Sequence, residues 1–272
     1  MDLQMQNIFG GLEKFGLGEV VEKNQVIFEE EIKSDEPIEK KQIKSFNIDD
    51  YIYLKTYTCP VCDKEFKSYA VRHGKVRMEA IEYDLRPIHT PIEPLFYDVI
   101  MCENCGYTAV NESFNKINRV QIEKIKTEIS PNFKPIPYPK EMTVDMAIDR
   151  YKLALLNCVV KEGKDGERAY ICMKLTWLYR IKGDESKNER QFAELTLKGF
   201  TIALSKEIPP IMGIAESAVM YLIAAFSTFL GNQQTALKIL SGLIASSSTS
   251  SRLKNRARDL KQSINAFKGK GI

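Results

Sequence analysis

Four of the six cysteines in the chain occur as two C-x-x-C pairs, in CPVC at residues 59–62 and CENCG at residues 102–106. Two cysteines spaced in this way can place both thiolates on one edge of a metal-centred tetrahedron, and a second pair can supply the opposite edge. Gly106 suits the turn after the second pair, because glycine adopts positive φ without steric strain. We therefore predict that one structural Zn²⁺ is bound by Cys59, Cys62, Cys102 and Cys105.

Other interpretations of the paired cysteines are a redox C-x-x-C motif and thiols that bind nothing. A redox motif is typical of a βαβ setting, which the surrounding sequence does not suggest. The 39 residues between the pairs exceed the usual spacing in zinc ribbons, so a β excursion must separate the two turns. Four thiolates fill the coordination sphere of zinc, which indicates a structural site without an open position.

The remaining candidates for chemistry do not form a catalytic set. His73 and His89 lie between the cysteine pairs, and we expect ordinary surface or hydrogen-bonding histidines there. Cys158 and Cys172 fall on apolar helical faces, as buried and inert thiols do. The sequence has no nucleophile elbow, no glycine-rich phosphate loop and no H-E-x-x-H. We expect a protein that is not an enzyme, with an enzymatic cleft between two domains as the open alternative.

The segments beside the cysteines have the composition of strands. Runs of β-branched and aromatic residues occur at 51–54, 76–81 and 95–101. A helix is expected within residues 111–129, and the four prolines of PNFKPIPYP must end it. We predict an α+β fold with four parts. They are an N-terminal arm and acidic linker (1–50), a zinc ribbon-like β domain with a trailing helix (51–130), a Pro-rich linker (131–142) and an all-α, tetratricopeptide-like helical repeat domain (143–272).

Helical periodicity begins after Thr143, which is a plausible N-cap, and continues to the C-terminal segment. In YLIAAFSTFLGNQQTALKILSGLI, the small residues Ala224, Gly231 and Ala236 stand where two helices would approach each other. This pattern is similar to a tetratricopeptide repeat, and a plain helical bundle is the alternative. Further helices are predicted at about 166–181, 188–205, 213–230, 233–245 and 251–267.

Charge is distributed unevenly along the chain, although the net charge is only +3. Residues 1–50 hold 6 Lys/Arg against 12 Asp/Glu, whereas residues 131–272 hold 22 against 13. Such asymmetry suits either intramolecular complementarity or an anionic partner such as nucleic acid. The C-terminal segment 251–272 has seven basic residues and one acidic residue. On its predicted helix we expect three cations to stay exposed: Arg252, Arg256 and Lys261.

No run of about 18 apolar residues occurs, so we expect no transmembrane helix. The opening MDLQMQNIFGGLEKF lacks the basic start and long apolar core of a secretory signal. We therefore expect a cytoplasmic protein. Paired cysteines in that reducing compartment suggest a metal rather than disulfides.

Residues 58–109 resemble the bacterial family called domain of unknown function 2225. The resemblance is carried by CPVCDKEF, by VRHGKVRMEAIEYDLRP and by PLFYDVIMCENCGYTA, and the opening NIFGGLEKFGLG is similar as well. Its most specific combination is Tyr97, Cys102, Cys105, Gly106 and Tyr107. The resemblance implies a bacterial cytosolic protein with a zinc ribbon and helical repeats, and it implies no activity. It leaves the roles of Asp84 and Tyr97 unassigned, and a bracing role would suit both residues.

These observations predict a zinc-binding scaffold or adaptor that engages a protein or peptide partner through its helical repeats. A small-molecule substrate is not expected. The alternative is a nucleic-acid-binding regulatory protein that uses the ribbon and the basic C-terminal helix. We also expect Cys59→Ser or Cys105→Ser to unfold residues 51–110 while the helical half stays largely intact, because metal binding energy becomes folding energy.

Overall fold

The computed structural model describes residues 8–24, 47–183 and 187–268. The fold is α+β, as predicted, with small antiparallel strand pairs in the N-terminal part and helices throughout the C-terminal half. Most of the predicted acidic linker lies outside the described residues, and so does the centre of the turn predicted near residue 184.

The described strands form three separate antiparallel pairs. They are β1 (Ile52–Thr58) with β2 (Glu65–Val71), β3 (Arg77–Ile81) with β4 (Pro87–Thr90), and β5 (Val99–Met101) with β6 (Thr108–Val110). Thr58 pairs with Glu65 and Met101 pairs with Thr108, so the first and third hairpins turn at the C-x-x-C motifs. Each cysteine pair therefore lies at the tip of a β-hairpin.

The described helices begin with two short ones and continue with six longer ones. They are α1 (Gly18–Lys23), α2 (Arg119–Lys124), α3 (Val144–Val160), α4 (Asp165–Lys182), α5 (Asn188–Lys206), α6 (Glu216–Phe229), α7 (Gln233–Ala245) and α8 (Ser251–Lys268). Thr143 caps α3 as predicted, because its hydroxyl accepts a hydrogen bond from the Met146 amide at 3.3 Å. The helix expected within 111–129 begins later, after an Asn118–Gln121 capping box, and a π-helical turn (Ile125–Ile129) continues it.

Consecutive helices from α3 to α8 pack against one another in chain order. Short connections and apolar faces favour such neighbour packing. The small residues singled out in the sequence serve this purpose at Ala224 and Ala236, which are both fully buried. The helical half is thus confirmed, while its likeness to tetratricopeptide repeats stays a prediction.

One continuous apolar core joins the first and third strand pairs to helices α3 to α6. It includes Phe9 and Phe15 of the N-terminal arm, Cys59 of the first hairpin and Tyr151 of α3. A second cluster lies between α6, α7 and α8. The arm is fixed to the Pro-rich segment by a hydrogen bond from the Lys134 amide to the Phe15 carbonyl at 2.7 Å. The two hairpins that carry the cysteine pairs therefore pack on the same core as α3.

Within the described part of the chain, no helix combines the length and the apolar composition needed to cross a bilayer.

Candidate metal centre

The first cysteine pair forms a tight turn at the end of β1. The Cys59 amide donates to the Lys64 carbonyl at 3.0 Å, and the Asp63 amide donates back to the Cys59 carbonyl at 2.9 Å. Asp63 adopts a φ of 57°, in the left-handed region that Asp and Asn tolerate better than most residues. The Val61 amide points at the Cys59 sulfur at 3.4 Å. These hydrogen bonds within the turn fix the position of the Cys59 sulfur.

The second pair repeats the same turn between β5 and β6. The Cys102 amide donates to the Tyr107 carbonyl, and the Gly106 amide donates to the Cys102 carbonyl, each at 2.9 Å. Gly106 has a φ of 75°, and a Cβ atom at this position would lie 2.5 Å from the Phe133 ring. Glycine is thus required here both by the turn and by its neighbour.

The two turns bring all four predicted sulfur atoms together. The Sγ atoms of Cys59 and Cys105 are 3.6 Å apart, and those of Cys62 and Cys102 are 3.7 Å apart. All four sulfurs lie within 4.8 Å of one another. Four thiolates at about 2.3 Å from a tetrahedral zinc ion would be about 3.8 Å apart. The donor set therefore fits a tetrahedral metal ion.

Hydrogen bonding among the thiols favours one thiolate, at Cys102. Bonds from the Cys105 and Cys59 thiols lower the pKa of Cys102, and the backbone N–H of Asn104 adds to this effect. Their contacts with Cys102 raise the pKa of Cys59 and of Cys105. Three of the four cysteines are buried, and Cys62 is partly exposed. A cluster that stabilises a thiolate in this way suits a cation.

Side chains from the helical segments hold the second turn in place. The Asn157 side-chain oxygen on α3 accepts from the Thr108 amide at 3.2 Å, and its nitrogen faces the Gly106 carbonyl at 3.4 Å. The Ser130 hydroxyl donates to the Cys105 carbonyl at 2.9 Å. Sequence reasoning missed Asn157, although a polar residue in the middle of an apolar helical stripe was a usable signal.

The other candidate ligands lie elsewhere. Among the residues that the structure describes, the four cysteines form the one group of three or more potential metal ligands, and neither His73 nor His89 belongs to it. Cys158 and Cys172 are buried as predicted, and desolvation raises the pKa of both thiols, which keeps them protonated.

Asp84 links the β3–β4 turn to the helical half. It is fully buried, accepts a hydrogen bond from the Trp177 indole at 3.0 Å and pairs with Arg180 at 2.8 Å.

Tyr97 links the strands to the end of the Pro-rich segment, since its hydroxyl donates to the Lys140 carbonyl and accepts from the Met142 amide. Asp84 and Tyr97 therefore both connect the strand region to segments that follow it in the chain.

The turn that carries Asp84, here called the acidic turn (Glu82–Arg86), lies against alternate helices. Arg180 of α4 pairs with Glu82 at 2.7 Å. The Tyr221 hydroxyl of α6 donates to the Tyr83 carbonyl at 2.8 Å, and Arg256 of α8 faces the Glu82 carbonyl. Helices α4, α6 and α8 therefore present one common face to an extended segment of the same chain.

The basic helix α8 is less exposed than the sequence suggests. Arg252 is exposed as expected, but Arg256 and Lys261 are partly buried. Arg256 contacts the acidic turn, and Lys261 donates to the Ser241 hydroxyl at 2.9 Å. The prediction that all three cations stay exposed was wrong for two of them, because neighbouring elements cover the helix.

The fold and the site together define a class of α+β proteins with a four-cysteine cluster on two hairpin tips and a helical C-terminal half. The chain belongs to the family described as "Uncharacterized protein conserved in bacteria (DUF2225)", whose family model matches residues 52–264. The resemblance noted in the sequence is thereby confirmed. Neither a curated protein nor a solved structure matches the chain.

Proposed function

We propose that the four-cysteine cluster binds a structural Zn²⁺ and that the protein is a scaffold rather than an enzyme. The observation that carries the zinc assignment is the convergence of four sulfur atoms within 4.8 Å of one another, with two separations of 3.6 and 3.7 Å that match tetrahedral coordination. Sulfur-only sites select zinc or iron among the common cellular metals, and zinc is redox-inert. With four thiolates bound, no coordination position is left for a substrate.

The test of the zinc assignment is the metal content of the purified protein. We expect one zinc per chain by elemental analysis, and loss of zinc in Cys105→Ser. Cys172→Ser is a matched control, because its thiol is buried in the helical half and belongs to no metal cluster. Iron in place of zinc, or retention of the metal by Cys105→Ser, would contradict the assignment.

The scaffold role is supported by the common face of α4, α6 and α8. This face contacts both carboxylates and main-chain carbonyls of the acidic turn, and such contacts are typical of grooves that bind extended peptides. We propose that a protein or peptide partner engages the helical half by occupying this face in place of the turn. The protein would act in the cytoplasm, where its cysteines stay reduced.

A partner that competes with the acidic turn should bind better when the turn is held less tightly. Glu82→Gln weakens the ion pair between the turn and Arg180 and leaves the helical face unchanged, so we expect it to increase the amount of partner captured in affinity purification. Glu123→Gln is the control, because it removes the carboxylate of an exposed Glu–Lys pair on α2, away from this face. Capture of nucleic acid alone would count against this proposal and favour the nucleic-acid alternative. The internal contacts of Arg256 and Lys261 give that alternative little support.

A further inference from the structure

A cavity of about 380 Å³ lies between the strand pairs and α4, away from the cysteine cluster. Binding sites for small ligands usually occupy about 300–1,000 Å³, so this volume suits a metabolite of one ring or less. Aromatic and apolar side chains form about half of its wall, and polar or charged side chains form the rest. The apolar and aromatic wall residues include Tyr53, Tyr57, Leu95, Ile100 and Trp177.

Two carboxylates form the charged end of the cavity. The Tyr151 hydroxyl donates to Asp98 Oδ2 at 3.3 Å, and the Tyr170 hydroxyl donates to Glu112 Oε1 at 2.9 Å. These two hydrogen bonds fix the positions of the Asp98 and Glu112 side chains. The second oxygen of Glu112 is buried and has no hydrogen-bond partner among the described residues. A buried carboxylate oxygen without a donor is costly, so an N–H or O–H group supplied by a ligand would stabilise it.

Lys174 forms an ion pair with one of these carboxylates and lies over two aromatic rings. Lys174 Nζ is 3.9 Å from Asp98 Oδ2 and 5.0 Å from the ring centroids of Tyr170 and Trp177. Within the described residues it donates no hydrogen bond, although an ammonium can donate three. The charged end thus offers an acceptor and a donor side by side.

Arg86 and Glu93, which also line the cavity, are already paired with each other. Arg86 makes ion pairs with Glu82 at 3.1 Å and with Glu93 at 3.2 Å. His89 lies 3.7 Å from the same Glu93. Lys55 and His73 also line the cavity, and Lys55 lies over the Tyr57 ring at 4.9 Å. Asp98 and Lys174 place opposite charges 3.9 Å apart in the cavity wall, and Glu112 adds a second carboxylate.

We propose that this cavity binds a small zwitterion of the α-amino-acid class with an apolar or aromatic side chain. Asp98 and Glu112 accept hydrogen bonds from the ligand's ammonium group, and Lys174 donates to its carboxylate. Adjacent opposite charges on the protein match the adjacent opposite charges of an amino-acid head group. The aromatic walls receive the side chain. This function is separate from the zinc site and from the helical face proposed above.

The single tryptophan of the chain, Trp177, lines the cavity and reports on its occupancy. We would titrate the zinc-loaded full chain with L-phenylalanine, L-tyrosine, L-leucine and L-methionine, following Trp177 emission at an excitation wavelength that avoids ligand absorption and confirming binding by calorimetry. We expect at least one to bind saturably. Its analogues that lack one charge, such as phenethylamine and 3-phenylpropionate for phenylalanine, should bind at least about tenfold more weakly, because each lacks one charge-assisted hydrogen-bonding group.

Charge-removing variants of similar shape test the assigned residues. Glu112→Gln and Lys174→Met should each weaken binding by about tenfold or more. Asp259→Asn and Lys238→Met, on exposed positions of α8 and α7, are the matched controls and should bind normally. The proposal is overturned if none of the four amino acids binds, if phenethylamine binds equally well, or if both site variants bind as the controls do. If a variant fails to fold, the comparison of amino acids with their singly charged analogues on the parent protein still tests the proposal.

Discussion

Replacing Asp84 by alanine should detach the acidic turn from the helices and destabilise the protein by about 3–5 kcal/mol. The carboxylate makes two buried contacts, one with the Trp177 indole at 3.0 Å and one with Arg180 at 2.8 Å. Hydrogen bonds to charged groups contribute about 1.5–3 kcal/mol each. Arg180 retains Glu82 and Glu189 as partners, so no unpaired charge is left behind. The Trp177 N–H, however, loses its acceptor in a buried position.

Asp84→Asn should have a smaller effect than Asp84→Ala, about 1–3 kcal/mol, because the amide oxygen can still accept from one of the two donors. Urea unfolding followed by Trp177 fluorescence and by circular dichroism would measure both changes. Asp259→Ala, which removes an exposed carboxylate on α8, is the control and should stay within about 0.5 kcal/mol of the parent. A loss below about 1 kcal/mol for Asp84→Ala would refute the idea that this residue holds the turn in place.

Three further substitutions test the site and its surroundings. Gly106→Ala should destabilise the second cysteine turn by about 2–3 kcal/mol and weaken zinc retention against a chelator, since it combines a positive φ with a clash against the Phe133 ring; unchanged zinc release would contradict this. Asn157→Ala should cost about 2–3 kcal/mol in urea unfolding, because it leaves the buried Thr108 amide without its acceptor; a neutral effect would show that the contact is dispensable. Burial raises the pKa of Glu194 to about 7, so its protonated form favours folding at low pH and this contribution is lost as pH rises through that value. Glu194→Gln should therefore stabilise the protein more at pH 8 than at pH 5, and an equal effect at both values would refute the shift.

The parts of the structure that the sequence predicted are those set by local spacing. A C-x-x-C turn fixes the geometry of two sulfurs within four residues, so Cys59 and Cys62 could be assigned as a pair without knowing the fold. Helices α4 to α8 were predicted nearly to their ends, because apolar periodicity and turn residues are local as well. The convergence of the two cysteine pairs was also predictable, since each pair alone leaves a tetrahedral ion half-coordinated.

The parts that could not be predicted depend on contacts between distant residues. Asp84 and Trp177 are 93 residues apart, and neither belongs to a sequence motif that would indicate their contact. The same holds for Asp98, Glu112 and Lys174, which are far apart in the sequence and line one cavity in the fold. Arg256 was expected in solvent because an amphipathic helix shows which face is polar, but not what covers that face.

Each of the three hairpins must be stabilised by contacts with other parts of the chain, because an isolated two-stranded hairpin is only marginally stable in water. The first and third hairpins are joined to each other through the cysteine cluster, whereas the second is joined to α4 through Asp84. Loss of zinc in Cys105→Ser should therefore increase proteolysis within residues 51–71 and 99–110. It should loosen α3, which shares their core, and leave the cluster of α6 to α8 folded. Residues 77–90 should stay as resistant to proteolysis as in the parent, because the acidic turn depends on helix contacts. Proteolysis of residues 77–90 as extensive as that of Asp84→Ala would mean that the metal, and not the buried aspartate, holds all three hairpins.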